Sequence, residues 1–462
     1  MRFSLLGGWL WFWQIFRQKL CSIPGLHVSL FFIKASYSVQ LCCGYSGKNS
    51  GKYFGKIMPA IPQMEPMVPG RRSDLEDLAL EVFKASAKLA GRVHPVTAQR
   101  VGGLLRNVNS YYSNLIEGIR TTLLEIESGL RELAQDDRTR KLQLLHKQNI
   151  AAQAAVDAQC AGGLPAVAEA GFLCRLHELL FAGVPREFLI QRNQEGTREV
   201  ETLPGRLRDD NVRVGAHVPP DWQALPGLLA RFQEAYALER AQGAGRLVLA
   251  AASHHRLLWI HPFFEGNGRV ARLFSDVYLK CCGLEGYGLW TLGRGLARAE
   301  GDYKALLAAA DAPRQGDYDG RGSLSEDGLR RFCLFFLHTA LDQARFMDAL
   351  LNLDAAARNI AFYCSLRTRG HMAERGPLPK EAARILTHVF VHGQIAKGEV
   401  HELINASDRK ARDIVKALLA EGLLESANQK APLTIGLPAH AVQYYFPELC
   451  DPGAFKDGPG LA

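Results

Sequence analysis

Apolar residues recur at three- and four-residue intervals along most of the chain, with brief interruptions. LEDLALEVFKASAKLAG (75–91) has this spacing and stops on Gly91, which predicts a helix. VTAQRVGGLLRNVNSYYSNLIEG (96–118) predicts a second, and the text from 121 to Gly162 continues mostly helical. AEAGFLCRLHELLFAG (168–183) predicts an amphipathic helix closed by Gly183. The pattern then changes. GTREVETLPGRLRDDNVRVGAHVPP (196–220) carries prolines, glycines and short β-like runs, which predicts a hairpin or an extended flap. Helical spacing resumes over 221–241, 246–260, 269–283, 300–312 and 324–364. The expected fold is therefore mainly α with one β excursion.

The carboxyl end reads as a separate unit after GPLPKE (376–381). EAARILTHVFVHG sets Ile385, Leu386, Val389 and Phe390 on one face. KGEVHELIN is a short helix, and SDRKARDIVKALLAEG opens on a Ser407 cap and buries Ile414, Val415, Leu418 and Leu419. LLESANQKAPLTIGL predicts two strands around a turn, so 376–462 is expected to be a winged helix-turn-helix.

Composition narrows this little. The 462 residues are 47% apolar and 22% charged, as in a globular chain with a sizeable core. The net charge of +8 is misleading. Residues 1–57 hold seven basic residues and no acid, leaving 48 basic against 47 acidic residues in 58–462. A balanced body gives no charge argument for nucleic acid or membrane. Ten cysteines show neither zinc spacing nor a Cys-x-x-Cys pair, which suits reduced thiols and a cytoplasmic location. SLLGGWLWFWQIF near the start is shorter than the ~20 residues of a spanning helix. Its length suits a signal-peptide core, and the basic run after it suits a transit peptide. The abrupt change in composition fits better with translation from Met58, so 1–57 is set apart as an atypical leader. The remaining segments are 58–195, 196–370 and the carboxyl unit.

HPFFEGNGRVARLF (261–274) is too polar and glycine-rich for core text. It is not a P-loop, which needs G-x-x-x-x-G-K-[ST]. It is not a zinc hydrolase motif either, since His401-Glu402 and His177-Glu178 each lack the second histidine. GNGRVA matches a loose dinucleotide fingerprint, but the text before it is helical and no βαβ unit follows. A plain helix cap explains one glycine and leaves the other residues unaccounted for. A phosphate site explains them together. Gly266, Asn267 and Gly268 open a helix, where backbone N–H groups and the helix dipole favour an anion. Arg269 and Arg272 share a face near that end and suit further phosphates. Glu265 beside phosphates implies a bridging cation, most simply Mg²⁺. His261 is the natural general base, and Phe263 an apolar anchor.

The segment His261-Pro262-Phe263-Phe264-Glu265-Gly266-Asn267-Gly268-Arg269-Val270-Ala271-Arg272 closely resembles the Fic signature H-P-F-x-[D/E]-G-N-G-R-x-x-R, matching every defined position. The resemblance spans about 75–350. It implies a mainly α Fic-type helical bundle that transfers AMP from ATP to a Ser, Thr or Tyr hydroxyl of a target protein. In it His261 would take the hydroxyl proton, Glu265 would hold Mg²⁺, and Gly266, Asn267 and Gly268 would form the anion hole, with Asn267 on the α-phosphate. Arg269 and Arg272 would hold the β- and γ-phosphates, Tyr303 would lie in the nucleotide site, and residues 205–220 would form a flap that takes an extended target segment.

Ser113-Asn114-Leu115-Ile116-Glu117-Gly118 similarly fits the inhibitory [S/T]-x-x-x-E-[G/N] of this family. The resemblance implies that Glu117 takes Arg272 and leaves ATP in an unproductive pose. Two other functions remain open: removal of AMP at the same site, and a nucleotide-sensing DNA-binding regulator. For the regulator, Arg409, Lys410, Arg412 and Lys416 lie on the candidate recognition helix, diluted by Asp408 and Asp413. The winged unit would take DNA or a protein partner, a second copy of the chain is a further candidate partner, and no membrane role is expected.

Overall fold

The computed structural model describes residues 26–29, 42–45 and 64–450, except 71, 164–165, 193–198 and 373–374. Two units separate, Met1–Ala60 and Ile61–Ala462. In the first, β1 (Leu26–Ser29) pairs antiparallel with β2 (Cys42–Tyr45). The rest of 1–57, expected to be an atypical leader, lies outside the described residues.

The second unit is helical. It opens with α1 (Ser73–Ala90), ending at Gly91, and α2 (Pro95–Ile116), where Pro95 supplies a preset first turn and the His94 ring accepts from Val96 N–H at 3.2 Å. The run expected to continue to Gly162 is broken into α3 (Leu123–Arg131) and α4 (Asp137–Gly162). Local capping causes the break. Thr122 and Glu125 form a capping box before α3, and the Asp136 carboxylate accepts from Thr139 N–H before α4. Next come α5 (Ala170–Phe181), α6 (Leu225–Tyr236), α7 (Ala244–Ile260) and α8 (Asn267–Cys281). A short helix, α9 (Leu292–Arg298), leads into α10 (Glu300–Asp311). The expected single run over 324–364 is α11 (Glu326–Leu350) and α12 (Leu353–Thr368), restarted by Asn352 as an N-cap. Helix α7 is buried on nearly every side, and α8 packs along it.

Strands β3 (Ile190–Arg192) and β4 (Glu199–Glu201) pair antiparallel, so pairing begins before the segment expected to be a hairpin or an extended flap, and the residues after β4 form a largely irregular flap. Between 202 and 221 one bridge forms, Val214 with His217. Side chains hold this flap where a ladder would otherwise do so. Asn211 accepts from Trp222 N–H at 3.0 Å, and Arg208 bonds four carbonyls. Prolines at 204, 219 and 220 remove ladder donors.

The carboxyl elements are α13 (Ala382–His392), β5 (Gln394–Ile395), α14 (Val400–Ile404), α15 (Asp408–Ala420), β6 (Leu424–Glu425), β7 (Leu433–Ile435) and α16 (Ala439–Tyr445). The strands form one antiparallel sheet in the order β5-β7-β6. Strand β5 and helices α9 and α16 are too short to show a period in the sequence. This part belongs to the same compact unit as the preceding helices. Arg367 of α12 is bidentate to Glu421 at 2.8 and 2.9 Å, and Thr97 of α2 donates to Phe390 O at 2.7 Å. Among the described residues no helix is long and apolar enough to cross a membrane.

Four buried histidines and the half-buried His261 are kept neutral by desolvation. It lowers His146 and His254 to about 3, and His177, His261 and His440 to about 4. Their folded values lie below the unfolded value near about 6.5, so the stability they favour is fully present above that pH and is lost as pH falls. The thermal unfolding midpoint should drop steadily from pH 6.5 to pH 4; a midpoint flat across that window would contradict this.

Candidate active site

Helix α8 begins on Gly266, whose φ of +78° is reached readily by glycine alone. A Cβ there would also lie 2.5 Å from the Phe181 ring. No side chain caps this end, so its first N–H groups face outward as anion donors. Asn267 closes the loop behind them. Its Oδ1 accepts from Phe263 N–H at 3.0 Å and its Nδ2 donates to Phe263 O at 2.8 Å. The Asn267 side chain is thus engaged in holding the loop, which leaves Asn267, expected on the α-phosphate, its backbone N–H to offer an anion. Phe263 is fully buried and stacks on His177, centroids 4.1 Å apart.

Arg269 and Arg272 are both buried. Arg269 donates to Glu265 Oε1 at 2.8 Å and lies over the Phe181 ring, and its Nε has no hydrogen-bond partner. Arg272 is held from α2. Its Nε donates to Ser113 Oγ at 2.9 Å, and its Nη2 donates to Ser113 O at 2.8 Å and to Glu117 Oε1 at 2.5 Å. Burial pushes the Glu117 carboxyl up, but Arg272, then Arg269 and Lys304, outweigh it and hold the carboxyl below its ordinary value. A Cβ on Gly268 would run into this carboxylate, so Glu117 lies directly over the start of α8.

Gly118 explains how Glu117 arrives there. With φ of +75° it ends α2, donating to Leu115 O at 2.9 Å while Ile119 N–H reaches Asn114 O at 3.0 Å. This is a Schellman cap, and it turns the chain away just after Glu117.

His261 ends α7 in the left-handed region, φ +50° and ψ +63°. Such a conformation in a non-glycine residue costs about 1–2 kcal/mol and needs support from its surroundings. Arg208 supplies that support. Its Nε donates to His261 O at 2.8 Å, its Nη2 to Pro220 O at 2.5 Å, and its N–H to Pro262 O at 2.9 Å. Arg208→Ala would leave the His261 and Pro220 carbonyls without these side-chain donors, while the backbone bond to Pro262 O stays, and should destabilise the fold by about 2–4 kcal/mol. Thermal unfolding measures this, and a loss below 1 kcal/mol would count against the staple.

His177 is a second support. Its Nδ1 accepts from Gly205 N–H at 2.9 Å, leaving Nε2–H for Glu265 O at 3.2 Å, so one neutral ring ties the flap to the motif. Neither Arg208 nor His177 carries a motif, and no sequence signal marks them.

Tyr303, expected in the nucleotide site, is buried in the core. Its hydroxyl lies 2.7 Å from His254 Nε2, and His254 Nδ1 lies 2.7 Å from Ser275 Oγ. It also touches Arg272, so it supports that guanidinium from behind.

Beside His261 opens a cavity of about 710 Å³ between flap residues 214–218 and α10, lined also by Trp259, Lys304 and Asp311. Among the described residues no group of three or more His, Cys, Asp or Glu is placed to hold a metal ion. On the carboxyl module, Lys410 is paired with Glu381 at 2.6 Å, which removes one cation from the candidate recognition helix.

The Fic/DOC family profile matches residues 169–279, from just before α5 to the end of α8. That stretch is similar to the Fic/DOC family. Curated relatives of the Fic domain include proteins named protein adenylyltransferase Fic from Drosophila willistoni and Drosophila ananassae, each 38% identical over 79 residues. That stretch is 17% of this chain, and the chain spans only 16% of the length of either relative. Solved Fic structures resemble it as well. A Fic family protein from Desulfovibrio desulfuricans aligns with 78% of this chain and 95% of its own at 17% identity and a TM-score of 0.43. A Fic domain containing signaling protein from Bacteroides thetaiotaomicron aligns with 59% of this chain and 95% of its own at 16% identity and a TM-score of 0.43.

Proposed function

We propose that this protein transfers AMP from ATP to a hydroxyl of a target protein, and that Glu117 restrains it. The observation that carries the reading is the Glu117 carboxylate lying over Gly268 and bound to Arg272: an anion from the chain's own α2 already sits where a nucleotide phosphate would go.

In the transfer, neutral His261 takes the proton from the target hydroxyl. The hydroxyl oxygen bonds to the α-phosphorus, and the bond to pyrophosphate breaks. The outward N–H groups of α8 stabilise the charge that develops on the α-phosphoryl oxygens. Arg269 and Arg272 hold the β- and γ-phosphates, which requires Arg272 to leave Glu117 and Arg269 to leave Glu265. The unpartnered Nε of Arg269 fits an anionic ligand there. Glu265 is the residue that would hold Mg²⁺, and a single carboxylate suits an ion whose other ligands are phosphate oxygens and water. Such an ion would neutralise phosphate charge. The target segment would lie along the flap, with its hydroxyl entering the cavity beside His261.

AMP removal remains a second reading, because the Glu117 carboxylate lies close enough to His261 to act on its charge and could orient a water. The test is to incubate the Glu117→Gly protein with ATP and candidate targets, and separately the wild type with an AMP-modified protein, and to weigh the products. A gain of one AMP in the first arm supports transfer. A loss only in the second supports removal, and no change in either removes both.

A further inference from the structure

Helix α2 changes character along its length. Over its first turns it buries Val101, Leu104, Leu105 and Val108; over its last it buries Asn109, Ser110, Ser113 and Asn114 beside Tyr111, Tyr112 and Ile116. Asn109, Ser113 and Glu117 are spaced four apart and share one face. That face meets α8, on which Gly268, Arg272 and Asp276 are also spaced four apart. Glu117 meets Gly268 and Arg272, Ser113 meets Arg272, and Asn109 Nδ2 donates to Asp276 Oδ2 at 2.8 Å. Residue numbers rise on one helix as they fall on the other, so the helices run antiparallel and the contacts form a polar ladder.

The lowest rung is buried. Asp276 receives its other hydrogen bond from Tyr287 OH at 2.5 Å, and neither direct partner is a cation. A buried carboxylate held by neutral donors depends on each of them. Buried hydrogen bonds also add less net stability than apolar burial, because water replaces them on opening. These contacts along α2 are polar, so water can replace them when the face lifts from α8.

We propose that Asn109 and Asp276 form a second latch of the inhibitory helix, and that the polar face formed by Asn109, Ser113 and Glu117 releases α8 as a unit. This rests on the adenylyltransferase reading above for its activity readout. Asn109 is a positioning residue: it acts on the site only through the placement of Ser113 and Glu117.

The test is a swap. Asn109→Asp sets two carboxylates against each other and should raise AMP transfer about tenfold. Adding Asp276→Asn restores a donor facing an acceptor and should return transfer to the wild-type level. In a Glu117→Gly background, Asn109→Asp should add nothing. A role in packing alone would lower the unfolding midpoint without this pattern. Amide hydrogen exchange supplies a readout independent of activity: exchange across 109–117 should speed up in Asn109→Asp and slow again in the swap. Unchanged exchange there overturns the proposal. So does a Glu117→Gly protein that is active while Asn109→Asp shows no gain. If Glu117→Gly itself transfers no AMP, the adenylyltransferase reading fails, and the exchange measurement alone decides the latch.

Discussion

His261→Ala, made in a Glu117→Gly background, should lower AMP transfer by about 10²–10⁴-fold while leaving the unfolding midpoint nearly unchanged. The ring is half-buried at the rim of the cavity, and the backbone contacts that brace the turn come from its carbonyl and from Pro262, which alanine keeps. The lost element is the proton acceptor. Burial holds this imidazole at about 4, with His217 and Arg208 acting in the same direction, so it is neutral at pH 7. Bound phosphates add negative charge beside it and raise that value. The pH profile of transfer should therefore fall on the acid side, with a midpoint above about 4, and that limb should vanish in His261→Ala. Residual transfer with an unchanged acid limb would show that another group takes the proton.

Glu117→Gly should raise transfer by about 5–150-fold, the range expected when a coupling of about 1–3 kcal/mol is removed. Glu117 binds Arg272 only in the closed arrangement, so its worth is the difference between the two states. Glu117→Gln separates charge from size: it keeps a hydrogen-bonding oxygen for Arg272 and loses the negative charge, and should activate less than glycine. ATP affinity measured by titration calorimetry should rise in the same order. Equal affinity and equal transfer in all three proteins would remove the inhibitory role.

The site was readable where its residues are contiguous. His261 to Arg272 lie within one loop and the first turns of one helix, so backbone geometry alone brings them together. Glu117 was readable for a different reason, because a family pattern marks it; its pairing with Arg272 spans 155 residues and no periodicity implies it. His177, Arg208 and the Asn109–Asp276 rung were not readable. Each is an ordinary helix or loop residue until the tertiary fold supplies its partner. Tyr303 shows the converse, a residue marked for the nucleotide that packing places behind an arginine. The helices were legible from their spacing, and their breaks were missed where a capping side chain, Asp136 or Asn352, ended one period and began the next.

Arg272 serves both the inhibitor and the substrate, and this sets where mutations can act. A change at Arg272 that frees Glu117 also removes a phosphate ligand, so variants on α8 should be recovered as loss of function. Variants on the last turns of α2 remove restraint and leave the phosphate ligands intact. In a random library selected for gain of activity, hits should collect between residues 109 and 118 and be absent from 266–272, so the map of tolerated change would trace the boundary between restraint and machinery.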